Sequence, residues 1–120
     1  MIKYTGKAEL LLGRIFTKRE QYQQAEEKIR AALTKLTEVG NPKQLCLTHT
    51  ALAKLYTKMN RPDLEREQWQ AANTVVQSTV DVLEDETLKK VFINAAPVQE
   101  ILEKVFIKAA PGQEILENLK

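Results

Sequence analysis

The chain has few of the residues that build most metal and disulfide sites. Its 120 residues include one cysteine, Cys46, and one histidine, His49. A lone cysteine cannot form an internal disulfide, and a cysteine between leucines on a predicted helix is typical of a small core residue. Cys46 and His49 share a helix face at a spacing of three, but the sequence has no other cysteine or histidine to complete a metal site. We therefore expect neither a metal nor a cofactor.

The sequence also lacks the motifs of common enzymes. It has no glycine-rich phosphate loop, no nucleophile elbow and no Cys-x-x-Cys pair. Its carboxylates are spread along predicted helix faces, often three or four residues from a lysine or arginine, which is typical of solvated helices. The sequence therefore predicts a protein that is not an enzyme.

Long apolar runs, excess charge and aromatic residues are scarce as well. No apolar run approaches the roughly 18 residues of a membrane span, and the first residues lack the apolar core of a secretory signal. The 18 basic and 16 acidic residues leave a net charge of +2, and the aromatic residues are three phenylalanines, three tyrosines and one tryptophan. These features argue against a membrane or a nucleic acid as the partner, and they favour a cytoplasmic location.

A pattern of large and small apolar residues recurs after forty residues. Leu12, Phe16, Thr17, Lys18 and Ala32 return as Leu52, Tyr56, Thr57, Lys58 and Ala72. A fixed period of this kind is typical of helical repeat proteins, in which helix hairpins stack and share a core. We predict helices at about 5–18, 22–39, 42–58 and 62–82. Gly40, Asn41 and Pro42 supply a helix end, a helix cap and a first helical turn between the two hairpins.

The residues of this pattern resemble the tetratricopeptide repeat family. The first copy matches the family signature at Leu12, Gly13, Phe16, Tyr22, Ala25, Ile29 and Ala32, and the second at Leu52, Ala53, Tyr56, Trp69 and Ala72. The period is longer than the usual 34 or so residues of the family. The resemblance implies an all-α fold, a right-handed stack of antiparallel helix hairpins with two repeats over residues 1–83. It also implies a scaffold that binds proteins.

Residues 84–120 are predicted to form a C-terminal helical extension with a repeat of its own. A fourteen-residue unit occurs at 90–103 and again at 104–117, and the two copies agree at twelve positions. A recent duplication and deliberate engineering both explain such identity. Because a proline inside a helix costs roughly 3 kcal/mol, we expect Pro97 and Pro111 to divide the tail. The predicted helices span about 85–95 and 98–109, with a shorter one after Pro111. The alternative is a kinked continuous helix, if packing offsets the cost of the prolines.

One tail helix is expected to cover the apolar face of the second hairpin, as capping helices do in helical repeat proteins. The residues predicted for this covering role are Leu88, Val91, Phe92 and Ala95.

The resemblance further implies a concave groove lined by the first helix of each hairpin. Its peptide-binding positions would be Lys7, Leu10, Arg14, Lys18, Thr50, Lys54 and Lys58, beside Thr17, Leu47 and Thr57. A groove so rich in cations favours an acidic peptide or helix as the partner, and Arg14 suits bidentate binding of a carboxylate. The alternative is that these cations only keep exposed helix faces solvated.

A second hypothesis is self-assembly through the duplicated tail. If one copy covers the second hairpin, the other leaves an apolar set without a surface: Val105, Phe106, Ala109, Ile115 and Leu116. Exposed apolar patches of this kind mark association, so homo-oligomers or helix exchange between chains would follow. The alternative is that the second copy extends the stack as another hairpin. A third is that the chain is a fragment of a larger regulator, in which case the first hairpin should carry an exposed apolar face.

Overall fold

Helices make up almost all of the chain that the structure describes. A computed structural model describes the backbone of residues 2–109 and the side chains of residues 5–106. The helices are α1 (Ile2–Lys18), α2 (Tyr22–Val39), α3 (Pro42–Lys58), α4 (Pro62–Val82), α5 (Glu86–Asn94) and α6 (Ala96–Ala109). The predicted all-α class is confirmed over this range. The first four helices have their predicted bounds, except that α1 begins earlier.

The turn between α2 and α3 has the residues that its geometry requires. Gly40 follows α2 with a positive φ of 78°, and its N–H donates to the carbonyl of Leu36. The side chain of Asn41 accepts a hydrogen bond of 3.1 Å from the backbone N–H of Gln44, and Pro42 occupies the first turn of α3. A left-handed glycine ends one helix, and an asparagine cap begins the next, as predicted.

The turns after α1 and α3 share one backbone geometry. Glu20 has a φ of 63° and Asn60 a φ of 61°, and these are the non-glycine residues with positive φ in the described chain. The next residue in each turn donates its N–H to a carbonyl five positions earlier, that of Phe16 or Tyr56, at 2.9 Å in both cases. The repeat in the sequence is therefore also a repeat in the backbone.

Successive helices pack together around two apolar clusters. Helix α1 packs on α2, α2 on α3 and α3 on α4, while α6 packs on α3, α4 and α5. The first cluster joins α1, α2 and α3 and contains Leu10, Ala25, Ile29, Ala32, Leu36, Leu52, Leu55 and Tyr56. The second joins α3, α4 and α6 and contains Cys46, Ala53, Trp69, Ala72, Val76, Val98, Ile101, Leu102 and Val105.

The break between the two tail helices lies where the proline predicts it. The chain is extended at Ala95, with a ψ of 139°. Pro97 lies in the first turn of α6, where the missing N–H costs no helical hydrogen bond. The predicted division of the tail at Pro97 is confirmed, whereas Pro111 lies outside the described residues.

Helix α6 is the main cover of the core, and the prediction for α5 is right for Phe92 and Ala95, which pack against the second cluster, but wrong for Leu88 and Val91. Leu88 is 54% exposed and Val91 is 65% exposed, while Phe92 and Ala95 are only half-buried. Helix α6 instead buries a stripe of Val98, Ile101, Leu102 and Val105. The physical reason is tertiary packing, because α6 packs on both α3 and α4, whereas α5 packs on α6.

Two glycines let α1 lie close to α2. A Cβ atom added at Gly6 would lie 2.9 Å from Cγ of Leu36. One added at Gly13 would overlap Cγ1 of Ile29 and would lie 3.3 Å from the carbonyl oxygen of Ala25. The helices therefore approach more closely at Gly13 than any side chain allows.

Replacing Gly13 should destabilise the fold. A Gly13→Ala change gains about 1 kcal/mol in helix propensity, but it overpacks a tight contact at a cost of about 1–3 kcal/mol. We expect a net loss of about 1 kcal/mol in the free energy of unfolding, measured by urea denaturation. Gly6→Ala is the matched comparison and should lose less stability, because its Cβ would meet only side-chain atoms of Leu36 and Lys35 and would overlap them less than a Cβ at Gly13 overlaps Ile29. Equal stability of both variants would contradict the close approach at Gly13.

Candidate binding groove

A groove of about 560 Å³ lies between α1, α3 and α6. Helix α1 contributes Arg14 to its lining. The residues from α3 are Leu47, Thr50, Ala51 and Lys54, and those from α6 are Ala96, Pro97, Gln99, Glu100 and Glu103. The groove thus combines a basic side, an apolar floor and an acidic wall.

The structure brings together some of the predicted peptide-binding residues and separates others. Arg14, Thr50 and Lys54 line the groove, although Thr50 is mostly buried. Leu10 is only 5% exposed and belongs to the first apolar cluster, so its prediction as a groove residue is wrong. Its side of α1 faces α2 and α3 rather than the groove. Lys7, Lys18 and Lys58 are exposed but do not line the groove.

The acidic wall of the groove is what the sequence analysis missed. Nζ of Lys54 lies 3.2 Å from Oε1 of Glu100, and Glu103 lies one turn further along α6. Arg14 takes part in none of the ion pairs found among the described residues. Exposed pairs of this kind contribute at most about 1 kcal/mol, because water and salt screen them. The cation at Lys54 is therefore held loosely, and the one at Arg14 is available.

A polar network ties α2 to α3 behind the groove. The hydroxyl of Tyr56 donates to Oε2 of Glu26 at 2.6 Å and accepts a hydrogen bond from the guanidinium of Arg30. That guanidinium lies 5.7 Å from the centre of the Tyr56 ring. Burial is the main cause that raises the pKa of Tyr56, so its phenol stays neutral and the network is structural.

Cys46 and His49 face different surroundings. Cys46 is buried in the second apolar cluster, where desolvation raises the pKa of its thiol to about 11. Nδ1 of His49 lies 2.8 Å from Oε1 of Gln68 on α4, a distance suited to a donated hydrogen bond. No group of three or more metal-binding side chains occurs among the residues that the structure describes.

An apolar pocket of about 390 Å³ opens between the ends of α3, α4, α5 and α6. It is lined by Asn41, Pro42, Lys43, Cys46, Thr79, Leu83, Leu88, Val91, Phe92, Ala95, Pro97 and Val98. The exposed side chains of Leu88 and Val91 form part of its rim. This apolar pocket was not foreseen, because it depends on how α5 leaves the second cluster.

The predicted self-association residues lie partly inside the chain itself. Val105 is only 7% exposed, and Phe106 is half-buried against the second apolar cluster. The expectation that Val105 lacks a surface within the chain is wrong, because α6 crosses the junction of the two tail units and continues its buried stripe there. The side chain of Ala109, with Ile115 and Leu116, lies outside the described residues.

Comparisons with protein-family models, curated proteins and solved structures find no significant match for the chain. Among the helices of the described residues, none is long and apolar enough to cross a membrane. The geometry of the groove is therefore the main basis for a functional proposal.

The half-buried His49 should make stability depend on pH. Desolvation lowers the pKa of His49 below its usual value of 6.5, so the unfolded state binds a proton more readily than the folded state. The free energy of unfolding should then fall as pH drops below about 6.5 and through the lower pKa of the folded state. Urea denaturation between about pH 5 and 7.5 measures this slope.

The matched control is His49→Asn, which keeps a donor towards Gln68 and removes the titrating group. Its slope over the same range should be shallower than that of the unchanged chain. Equal slopes would show that His49 does not change its proton affinity on folding.

Proposed function

We propose that the protein is a non-catalytic interaction module that holds an extended peptide or a helix in the groove between α1, α3 and α6. The observation that carries the proposal is the meeting of Arg14 and Lys54 with the apolar side chains of Leu47 and Ala51 in one open groove. Such a mixture suits a peptide that carries both charge and apolar side chains. The fold is proposed to be a stack of antiparallel hairpins of the tetratricopeptide type, which the repeated turns at Glu20 and Asn60 support.

The partner is proposed to be acidic on the side that meets α1. Arg14 is exposed and makes no ion pair among the described residues, so its guanidinium can bind a carboxylate in a bidentate manner. On the opposite side, Glu100 and Glu103 repel a ligand of the same sign. A bound peptide is therefore oriented with its acidic side chains towards α1 and its uncharged or basic ones towards α6.

Helix α6 acts in this scheme as a weak internal competitor. A ligand carboxylate that reaches Lys54 must displace the side chain of Glu100 from it. Because an exposed ion pair contributes at most about 1 kcal/mol, the competition lowers affinity by no more than about fivefold.

Charge reversal in the groove should weaken the capture of acidic peptides. Arg14→Glu and Lys54→Glu each remove a charge-assisted hydrogen bond worth about 1.5–3 kcal/mol, so binding of a labelled glutamate-rich peptide should weaken at least about tenfold. Fluorescence anisotropy at fixed ionic strength measures the dissociation constant. The control is Lys90→Glu, which makes the same charge change on the exposed side of α5. Unchanged binding by both groove variants would rule out the groove as the site.

Removal of the internal competitor should act in the opposite direction. Glu100→Gln frees Lys54, and we expect the same acidic peptide to bind about two- to fivefold more tightly. Glu67→Gln, at an exposed position of α4, is the control for the change in net charge. If Glu100→Gln instead weakened acidic peptides and the groove bound a lysine-rich peptide, the acidic wall would be the recognition element and the charge preference would be reversed.

A further inference from the structure

Helix α1 presents an exposed apolar face on the side away from α2. This α1 face consists of Leu11, Leu12 and Ile15, and Leu11 is 60% exposed. Three large apolar side chains in adjacent turns make a contiguous patch rather than the scattered exposure that is normal on surfaces. A patch of this kind marks a site of association.

The repeat shows what such a face is for. Forty residues further along, Leu52 and Leu55 occupy the positions that correspond to Leu12 and Ile15, and both are fully buried. They belong to the first apolar cluster, where α2 packs on α3. The same residue types in the same part of the repeat are thus covered by a neighbouring helix in one copy and open in the other. The α1 face is a helix-packing surface that lacks its helix among the described residues.

A second apolar surface lies on α5. Leu88 and Val91 are both more than half exposed, and they form the rim of the apolar pocket that Cys46, Phe92 and Val98 help to line. Helix α5 packs on α6, whereas α1 packs on α2 and α3. The molecule therefore carries two open apolar surfaces on helices with different neighbours. One is the α1 face, and the other is the α5 rim with its apolar pocket.

The balance of charge beside the α1 face is basic, and the balance beside the α5 surface is acidic. Lys7 and Lys18 continue the stripe of Leu11 and Ile15 at helical spacing, and both are exposed. The chain that leads into α5 carries a run of exposed acids, Asp81, Glu84, Asp85 and Glu86. They outnumber the lysines nearby, which are Lys43 in the pocket lining, Lys89, which pairs with Glu86, and Lys90. Contact between two copies of the α1 face would bring lysines together, whereas contact between the α1 face and α5 pairs lysines with acids.

We infer that copies of this chain associate head to tail, with the α1 face of one copy seated on the α5 rim and apolar pocket of the next. The two surfaces differ, so each contact is heterologous, and every copy added to an open chain leaves one free surface at each end until a ring closes. The assembly therefore grows with concentration instead of stopping at a dimer. This inference is independent of the proposed function, since neither surface includes the groove residues Arg14 and Lys54.

The test is the solution mass of the full chain and of two variants, measured by light scattering over a wide range of concentration. The unchanged chain should increase in mass beyond a dimer. Leu11→Glu and Val91→Glu each place a carboxylate in the contact, so each should weaken self-association at least about tenfold. Gln24→Glu, at an exposed position of α2, adds the same charge outside both surfaces and should assemble normally. Circular dichroism checks that each variant is folded. If Leu11→Glu or Val91→Glu fails to fold, the milder Leu11→Gln or Val91→Gln is measured in its place.

Mixing the two variants tests the head-to-tail geometry itself. The Leu11→Glu chain keeps its α5 surface and the Val91→Glu chain keeps its α1 face, so an equimolar mixture should form a one-to-one dimer and nothing larger. The inference is overturned if the mixture stays monomeric, or if either variant still assembles as the unchanged chain does. An unchanged chain that is monomeric at every concentration also overturns it and leaves the α1 face to a helix from another protein.

Discussion

The proline at position 97 sets the direction of α6, and most of the surface of the molecule depends on that direction. Because Pro97 has no N–H to donate to the carbonyl of Ile93, four residues earlier, α5 ends at Asn94 and a new helix begins at Ala96. The new helix can then bury Val98 and Leu102 against the second cluster and point Glu100 at Lys54. A continuous helix could not serve both contacts. The core, the acidic wall of the groove and the exposure of α5 all follow from one constraint.

The sequence predicted the features that depend on a few neighbouring residues. Gly40, Asn41 and Pro42 determine a turn locally, and Pro97 determines a break locally, so these predictions are confirmed. Neighbouring residues do not determine which tail helix covers the core, because Val91 and Val105 occupy the same position in two nearly identical units. One is 65% exposed and the other 7%. No rule that uses only neighbours in sequence can separate them, since tertiary packing decides which is buried.

The sequence predicted some residues of the candidate site and missed others. The repeat places Arg14 and Lys54 at corresponding positions, and both line the groove. Periodicity states which residues share a stripe of a helix, but it does not state how that helix is rotated against its neighbours, which is why Leu10 was assigned to the wrong side. Glu100 was missed because its contact with Lys54 joins helices that the repeat does not relate. The net charge of the groove therefore depends on tertiary packing, whereas the positions of its cations follow from the repeat in the sequence.

The near identity of the two tail units has a consequence for the energy landscape of the chain. If the tail shifted by fourteen residues, the second unit would pack where the first unit now packs, and twelve of the fourteen side chains would be the same. One of the two differences replaces the buried Val98 by Gly112. Burial of a valine side chain is worth about 1.5–3 kcal/mol, so this one position opens an energy gap between two otherwise nearly degenerate registers. The difference at this position therefore disfavours a misfolded state in which the second unit packs in place of the first.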